Sequence, residues 1–218
     1  VVLRRGSPDR GGGIRRSVVS RVVADADNDA DAPGRGEIVP EERFATLQEL
    51  LGRRTNLSPD HAFLLPRPAI VEQVEDAFGS GEQIVVLIGP EGIGKSRIAD
   101  DVLRRILGSS RRMGGGIWWC GCDDVSDVAS LALAIGGVLG TDIPEAAPEA
   151  ALVLAQTLAA RGPTRICLDA IAHLDDDSIE LILTLCGAAP ELELLLTSRN
   201  APEIDGATVI EVPPLELP

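Results

Sequence analysis

The chain alternates between short continuous apolar runs and segments in which apolar residues recur every three or four positions. Continuous runs are typical of buried strands in a parallel sheet, and the periodic segments are typical of amphipathic helices. Predicted strands span 83–88, 116–122, 165–169, 192–197 and 208–212; predicted helices span 41–53, 69–78, 97–107, 126–139 with Ser126 as the cap, 148–161 and 177–186. Repeated strand–helix alternation with short connections predicts an α/β domain of three layers, with a mainly parallel sheet between helices.

The first 40 residues differ in composition from the rest. Arginines and glycines come first, and an acidic run from 24 to 32 follows. Its alternating aspartates resemble the start of a calcium loop, but Ala30 stands where such a loop needs glycine and Gly36 where it needs glutamate. We therefore predict a disordered linker or tail over 1–40, a short helix and connector over 41–55, and one α/β domain over 56–218.

Composition narrows the class of protein further. Apolar residues make up 44% of the chain and aromatic residues only 2%, so the predicted core consists of aliphatic side chains. The formal net charge of -14 repels phosphate backbones, which argues against direct nucleic-acid binding. No apolar run approaches the ~20 residues of a membrane span, and we predict a cytoplasmic protein. We expect the four cysteines to be reduced core thiols rather than metal ligands: Cys120, Cys122, Cys167 and Cys186.

One motif carries a specific chemical prediction. Residues 89–96 read Gly-Pro-Glu-Gly-Ile-Gly-Lys-Ser and fit the phosphate-binding pattern G-x-x-x-x-G-K-[ST], between a predicted strand and a predicted helix. Backbone N–H groups of such a loop face phosphates, helped by the helix dipole. We expect Lys95, the only lysine of the chain, to bridge the β- and γ-phosphates and Ser96 to bind Mg²⁺. The predicted ATP- or ADP-binding residues are Gly89, Pro90, Glu91, Gly92, Ile93, Gly94, Lys95, Ser96, Arg97 and Arg199.

Two further strands end in polar residues that complete this prediction. Asp169 ends the predicted strand 165–169 and is a candidate ligand of the Mg²⁺ hydration shell, so Lys95 and Asp169 are the candidate catalytic residues. Ala170 stands where fast ATPases place a second carboxylate to polarise water. After the strand 192–197, Thr197 or Arg199 would reach the γ-phosphate, although a plain surface arginine is the alternative.

Several segments, taken in order, resemble the nucleotide-binding domain of STAND-class P-loop ATPases. The likeness runs from about Asn56 to Pro218 and is similar to the branch that contains large bacterial regulators of the LuxR and SARP types, relatives of NB-ARC and AAA-like domains. The segments that carry it are Asn56-Leu57, Gly116 to Cys120, Leu168 to Leu174, Ala189 to Leu192, Leu196 to Arg199 and Val212 to Leu215.

The resemblance implies an ATP/ADP switch within a larger signalling or transcriptional regulator. Partners would be the nucleotide, other domains of that protein, including helical and winged-helix parts after the domain, and further copies of the chain. This sequence departs from the family at Ala170 and Ala172, where an amide residue and a glutamate are usual, which implies slow or no hydrolysis. Pro66 and Pro68 also flank Arg67 in place of the usual glycine and acidic residue.

Two other hypotheses compete with the switch. A turnover ATPase or kinase-type enzyme would use the same loop, but Ala170 and the lack of an acceptor-substrate motif argue against it. A degenerate domain that only mediates protein contacts would have no need of Lys95, Ser96 and Asp169 together. At most, therefore, the sequence predicts a slow ATPase.

Overall fold

Five strands and five helices make up the described part of the chain. The computed structural model describes residues 54–57, 67–109, 113–144 and 146–214. The predicted disordered segment 1–40 and the predicted helix 41–53 lie outside these residues. The elements are α1 (Pro68–Gly79), β1 (Ile84–Ile88), α2 (Lys95–Gly108), β2 (Gly116–Gly121), α3 (Val128–Leu139), α4 (Ala147–Arg161), β3 (Thr164–Asp169), α5 (Asp176–Ala188), β4 (Leu192–Ser198) and β5 (Ala207–Glu211).

All five strands are parallel and form one sheet in the order β2-β3-β4-β1-β5. The order places β4 between β1 and β3, so the carboxyl ends of these three strands lie side by side at one edge. In parallel α/β sheets, ligands bind at this edge, near the point where strand order reverses. The sheet therefore brings together the carboxyl ends of β1, β3 and β4, although β1 ends 81 residues before β3 does.

Helices cover both faces of the sheet, which confirms the predicted three-layer α/β architecture. Side chains alternate along the central strands: Val85 and Leu87 face α1 and α2, whereas Val86 faces α3, α4 and α5. Every residue of β4 is buried, as a strand covered on both faces must be. The four cysteines are buried in the same two apolar layers, as predicted.

The start of α3 corrects one detail of the sequence prediction. Asp127, not Ser126, is the N-cap residue, and its carboxylate accepts a hydrogen bond from the Ser130 backbone N–H at 2.8 Å. The Ser130 hydroxyl in turn accepts from the Asp127 backbone N–H, which completes a reciprocal capping box. Ser126 lies one residue outside the helix because the carboxylate of Asp127 satisfies the first free N–H groups.

A short segment before α1 covers the open side of edge strand β2. Thr55 forms a parallel bridge with Ile117. The Asn56 side-chain amide donates one hydrogen bond to the Trp119 backbone and accepts another from it. Its Nδ2 donates to the Trp119 carbonyl at 2.7 Å, and its Oδ1 accepts from the Trp119 N–H at 2.7 Å. The amide therefore replaces a strand residue and satisfies edge groups that would otherwise be open to pairing.

A buried ion cluster joins β3 to its neighbours away from the carboxyl edge. The Arg165 side chain is 0% exposed, and its guanidinium contacts carboxylate oxygens of Glu75 at 2.8 Å and Glu193 at 2.6 Å. The same group lies 4.0 Å from the ring centroid of Phe78, within cation–π range. This cluster ties β3, β4 and α1 together without using any residue of the predicted site.

Across the described ranges, no helix is long and apolar enough to cross a membrane.

Candidate functional site

The loop between β1 and α2 has a backbone that depends on its glycines. Gly89, Gly92 and Gly94 have φ angles of 150°, 77° and 100°, a region that residues with a side chain rarely adopt. A Cβ at Gly89 would lie 3.3 Å from the Val212 carbonyl oxygen. Helix α2 begins at Lys95, directly after the left-handed Gly94. The loop therefore curls into the N-terminus of a helix, which is the form predicted for phosphate binding.

Lys95 folds back over its own loop. Its Nζ atom donates to the carbonyl oxygens of Gly89 at 2.8 Å and Pro90 at 2.9 Å, which occupies two of its three donor protons. Partial burial lowers the pKa of Lys95 and nearby Arg199 lowers it too, while the carboxylates of Asp169 and Glu91 act in the opposite direction. The ammonium is thus held at the loop mouth and close enough to Asp169 for their charges to interact.

A single hydroxyl organises the ends of β3 and β4. Thr197 is 1% exposed, and its Oγ1 donates to Asp169 Oδ1 at 2.5 Å while accepting from the Ala170 N–H at 2.9 Å. Ala170 has a φ of 66°, so the chain turns sharply directly after Asp169. The Ile171 N–H then donates to the Thr197 carbonyl at 2.9 Å. These bonds fix one carboxylate oxygen and leave the second for a ligand.

The predicted residues surround a cavity of about 580 Å³ at the carboxyl edge. Its lining includes most of the predicted nucleotide-binding set and several residues that the prediction did not contain: Glu91, Gly92, Gly94, Lys95, Ser96, Arg97, Asp123, Asp169, Ala170, Ala172, His173, Thr197, Ser198 and Arg199. Gly89, Pro90 and Ile93 are not part of this lining. Gly89 lies under the loop against Val212, and Ile93 packs on the apolar layer between the sheet and α1 and α2.

Arg199 stands at the rim of the cavity. Its side chain is 66% exposed, and Nη1 lies 3.9 Å from an oxygen of Glu91, whose side chain is 86% exposed. An ion pair this exposed contributes little to stability, so neither side chain is locked in place. The structure thus brings Arg199 to the predicted phosphate side of the cavity, while the hydroxyl of Thr197 is committed to Asp169 and Ala170.

Arg97 lines two adjoining cavities. The second, of about 440 Å³, lies beside α2 and shares Ser96 and Arg97 with the first. Its remaining lining residues come from α2, β2 and the segment that covers β2: Asn56, Leu57, Asp100, Arg104 and Trp119. Arg97 therefore lies between the loop of residues 89–96 and the part of the sheet that contains β2.

Asp123, His173 and Ser198 are polar residues of the cavity that the sequence prediction missed. Asp123 follows β2, and β2 pairs with the strand that carries Asp169, so both strands end at the same edge. The sequence does show a relevant pattern, an acidic residue directly after a predicted parallel strand. That residue could not be assigned to the cavity because the sequence does not reveal which strands are neighbours in the sheet. By contrast, Asp175 is the N-cap residue of α5, and Asp176 and Asp177 lie in its first turn.

Arg67 connects the beginning and the end of the domain. Its guanidinium donates through Nη1 to the carbonyl of Pro213, beyond β5, and Pro68 occupies the first turn of α1. Proline at this position needs no N–H partner and is favoured there. The Arg67 side chain thus lies near the exit of β5.

A scan against protein-family models gave no match. Uncharacterized proteins of Mycobacterium tuberculosis and Mycobacterium bovis are each 29% identical over 138 residues, which is 63% of this chain and 34% of theirs. The chain therefore spans about a third of the length of the curated relatives that it matches.

Solved structures share the fold. Cdc6p from Pyrobaculum aerophilum matches with a TM-score of 0.59 and 16% identity over 76% of this chain and 48% of that one. The ORC1 protein of Aeropyrum pernix, solved in complex with DNA, matches with a TM-score of 0.56 and 22% identity over 72% of this chain and 48% of that one. The described residues therefore share the three-layer α/β fold of these two structures.

Proposed function

We propose that this chain is an ATP- or ADP-binding switch module of a larger bacterial signalling or transcriptional regulator, with slow hydrolysis. One observation carries the proposal: a glycine loop at a helix N-terminus, Lys95 and a positioned Asp169 meet in one cavity. The glycine loop and Lys95 would bind the phosphate groups, and Asp169 would hold the magnesium that accompanies them. The sequence resemblance to STAND-class ATPases supports the choice of a switch.

The residues present fit Mg²⁺ as well as nucleotide. Hard cations prefer oxygen ligands, and the Ser96 hydroxyl and Asp169 carboxylate both line the cavity. Because Thr197 binds only Oδ1 of Asp169, Oδ2 is available to accept from metal-bound water. When bound, Mg²⁺ would neutralise phosphate charge. The side chains of Lys95 and Arg97 would add positive charge on the same wall of the cavity.

We expect hydrolysis to be slow because two alanines stand where a side chain would be needed to hold the attacking water. Ala170 and Ala172 line the cavity on the loop after β3, where a carboxylate or amide would be placed to hold the attacking water. A positioned base typically contributes 10²–10⁴-fold to rate. A module without one on this loop would keep ATP bound for long periods, which suits a switch whose bound nucleotide sets a conformational equilibrium.

The negative net charge of the chain bears on which partners it can bind. With a net charge of -14, the surface favours contact with protein over contact with nucleic acid. We infer that other domains of the same regulator, and further copies of this chain, are the partners, and that the regulator acts in the cytoplasm. A turnover ATPase is the alternative function, favoured by the presence of Asp123 and His173 in the cavity.

Substitution of Lys95 tests the proposal. Lys95→Ala removes a charge-assisted phosphate contact worth about 1.5–3 kcal/mol, so we expect Mg-ATP affinity to fall about 10- to 150-fold. Arg105→Ala is the matched control, since Arg105 is an exposed cation in the last turn of the same helix, outside both cavities. Titration calorimetry of the folded variants gives the answer, and equal affinity of Lys95→Ala and wild type would refute the nucleotide site.

A further inference from the structure

Asp123 is presented to the cavity on a turn that is pinned from several sides. The Val125 N–H donates to the Cys122 carbonyl at 3.1 Å, which closes a tight turn with Asp123 and Asp124 at its centre. The Cys122 N–H donates to the Asp169 carbonyl at 2.8 Å, so the turn begins at the end of β3. Val125 is buried, which fixes the other end.

His173 anchors the same turn from the loop after β3. Its Nε2 lies 2.7 Å from the Val125 carbonyl oxygen, and a carbonyl only accepts, so Nε2 carries the proton. The bond joins the two loops that flank the cavity. Both His173 and Asp123 line that cavity, and the imidazole thereby helps to set the position of the carboxylate.

The ends of β2 and β3 lie level in the sheet. Gly121 at the end of β2 pairs with Asp169 at the end of β3, so the turn that holds Asp123 starts beside the turn after Asp169. Gly121 has no side chain between these two turns, and a Cβ there would meet nothing within 4 Å. Asp123 therefore lies at the same carboxyl edge of the sheet as Asp169 and lines the same cavity.

Of the carboxylates that line the cavity, Asp123 is the one without another assigned role, and it is therefore the candidate for activating the attacking water. Glu91, Asp123 and Asp169 are the three carboxylates of its lining. Asp169 accepts from Thr197 and is assigned to the metal, and Glu91 stands at the exposed rim beside Arg199. Ala170 and Ala172 contribute only methyl groups on the loop where related enzymes would place a base.

We propose that Asp123 is the general base for the attacking water and that His173 is its positioning residue. This inference rests on the proposed nucleotide site. The water oxygen forms a bond to the γ-phosphorus, the bond from that phosphorus to the bridging oxygen breaks, and ADP leaves with the electron pair. The proton of the water passes to the Asp123 carboxylate and then to solvent, giving ADP, phosphate and one proton.

Asp123→Asn tests the base directly, with Asp124→Asn as the matched control. Asp124 is the adjacent exposed carboxylate and does not line the cavity, so both variants lose one charge at the same turn. We expect Asp123→Asn to lower steady-state phosphate release about tenfold, less than the 10²–10⁴-fold of a base on the loop after β3, because Asp123 lies on an exposed turn. Asp124→Asn should leave phosphate release unchanged. His173→Ala should lower the rate by a smaller factor, and Asp123→Glu should retain part of it.

Binding measurements separate catalysis from metal binding. We expect Asp123→Asn to bind Mg-ATP and ADP as the wild type does, but to bind ADP with aluminium fluoride, a mimic of the transferring phosphoryl group, more weakly. Equal turnover of the two asparagine variants, a parallel loss of Mg-ATP affinity, or no measurable hydrolysis by the wild type would each overturn the inference. None of these results would touch the proposed switch, which fails only if Lys95→Ala leaves nucleotide affinity unchanged.

Discussion

Replacement of Thr197 by valine would show how far one buried hydroxyl organises the site. Valine has nearly the same shape, so the change removes two hydrogen bonds without opening a cavity. One of these bonds reaches the Asp169 carboxylate at 2.5 Å and the other accepts from the Ala170 N–H at 2.9 Å. Bonds to charged groups contribute about 1.5–3 kcal/mol and neutral bonds about 1 kcal/mol.

Partial exposure sets the size of the effect on stability. Asp169 and Ala170 are half-buried, so water can replace part of what the hydroxyl supplies. We therefore expect the free energy of unfolding to fall by about 1–2 kcal/mol, toward the low end of the cost of leaving such groups unpaired. Urea denaturation monitored by circular dichroism measures this loss.

The functional effect should be specific to the metal-bound nucleotide. Without Thr197 the Asp169 carboxylate can rotate away from the P-loop, and a loss of about 1.4 kcal/mol in orientation weakens Mg-ATP tenfold. Affinity for ADP without metal should not change. Thr197→Ser keeps the hydroxyl and should bind as the wild type does.

Thr164→Val is the matched control for this substitution. Thr164 is also fully buried in β3, and its hydroxyl donates to the Gly162 carbonyl at 2.8 Å at the opposite edge of the sheet. Its valine variant should lose stability but keep Mg-ATP affinity. If Thr197→Val stays folded and binds Mg-ATP like the wild type, then Asp169 does not depend on Thr197 and the assignment of this carboxylate to the metal loses its structural basis.

Two further predictions concern stability. Arg165→Ala should lower the free energy of unfolding by about 3–5 kcal/mol, because it breaks the buried ion pairs of the Arg165 guanidinium with Glu75 and Glu193. Mg-ATP affinity of the folded protein should not change, and a loss within about 1 kcal/mol in urea denaturation would contradict the prediction. Hydrogen bonds from the backbone and side chain of Ser130 lower the pKa of Asp127, so its contribution to stability is present above the ordinary aspartate pKa of about 3.9 and is lost as pH falls below it. Asp127→Asn keeps the cap and should flatten this part of the stability profile below about pH 3.9, measured by thermal melts.

The sequence alone determined the elements and the central motif. Continuous apolar runs such as 84–88 are typical of strands buried on both faces. The loop from Gly89 to Ser96 needs particular backbone angles that glycine permits. Both predictions concern local preference, which neighbouring residues in the chain express without outside help. For the same reason Asp169 could be recognised as the end of a strand near a P-loop.

Tertiary structure decided which strand ends become neighbours. The order β2-β3-β4-β1-β5 places Asp123 beside the turn after Asp169, although 46 positions separate them in the chain. It also gives the Thr197 hydroxyl to Asp169 rather than to a phosphate, which no local pattern indicates. Likewise, the buried ion cluster around Arg165 depends on Glu75, 90 positions away. Such pairings arise from sheet order and register, and these are set by how whole helices and strands pack rather than by the preference of any short segment.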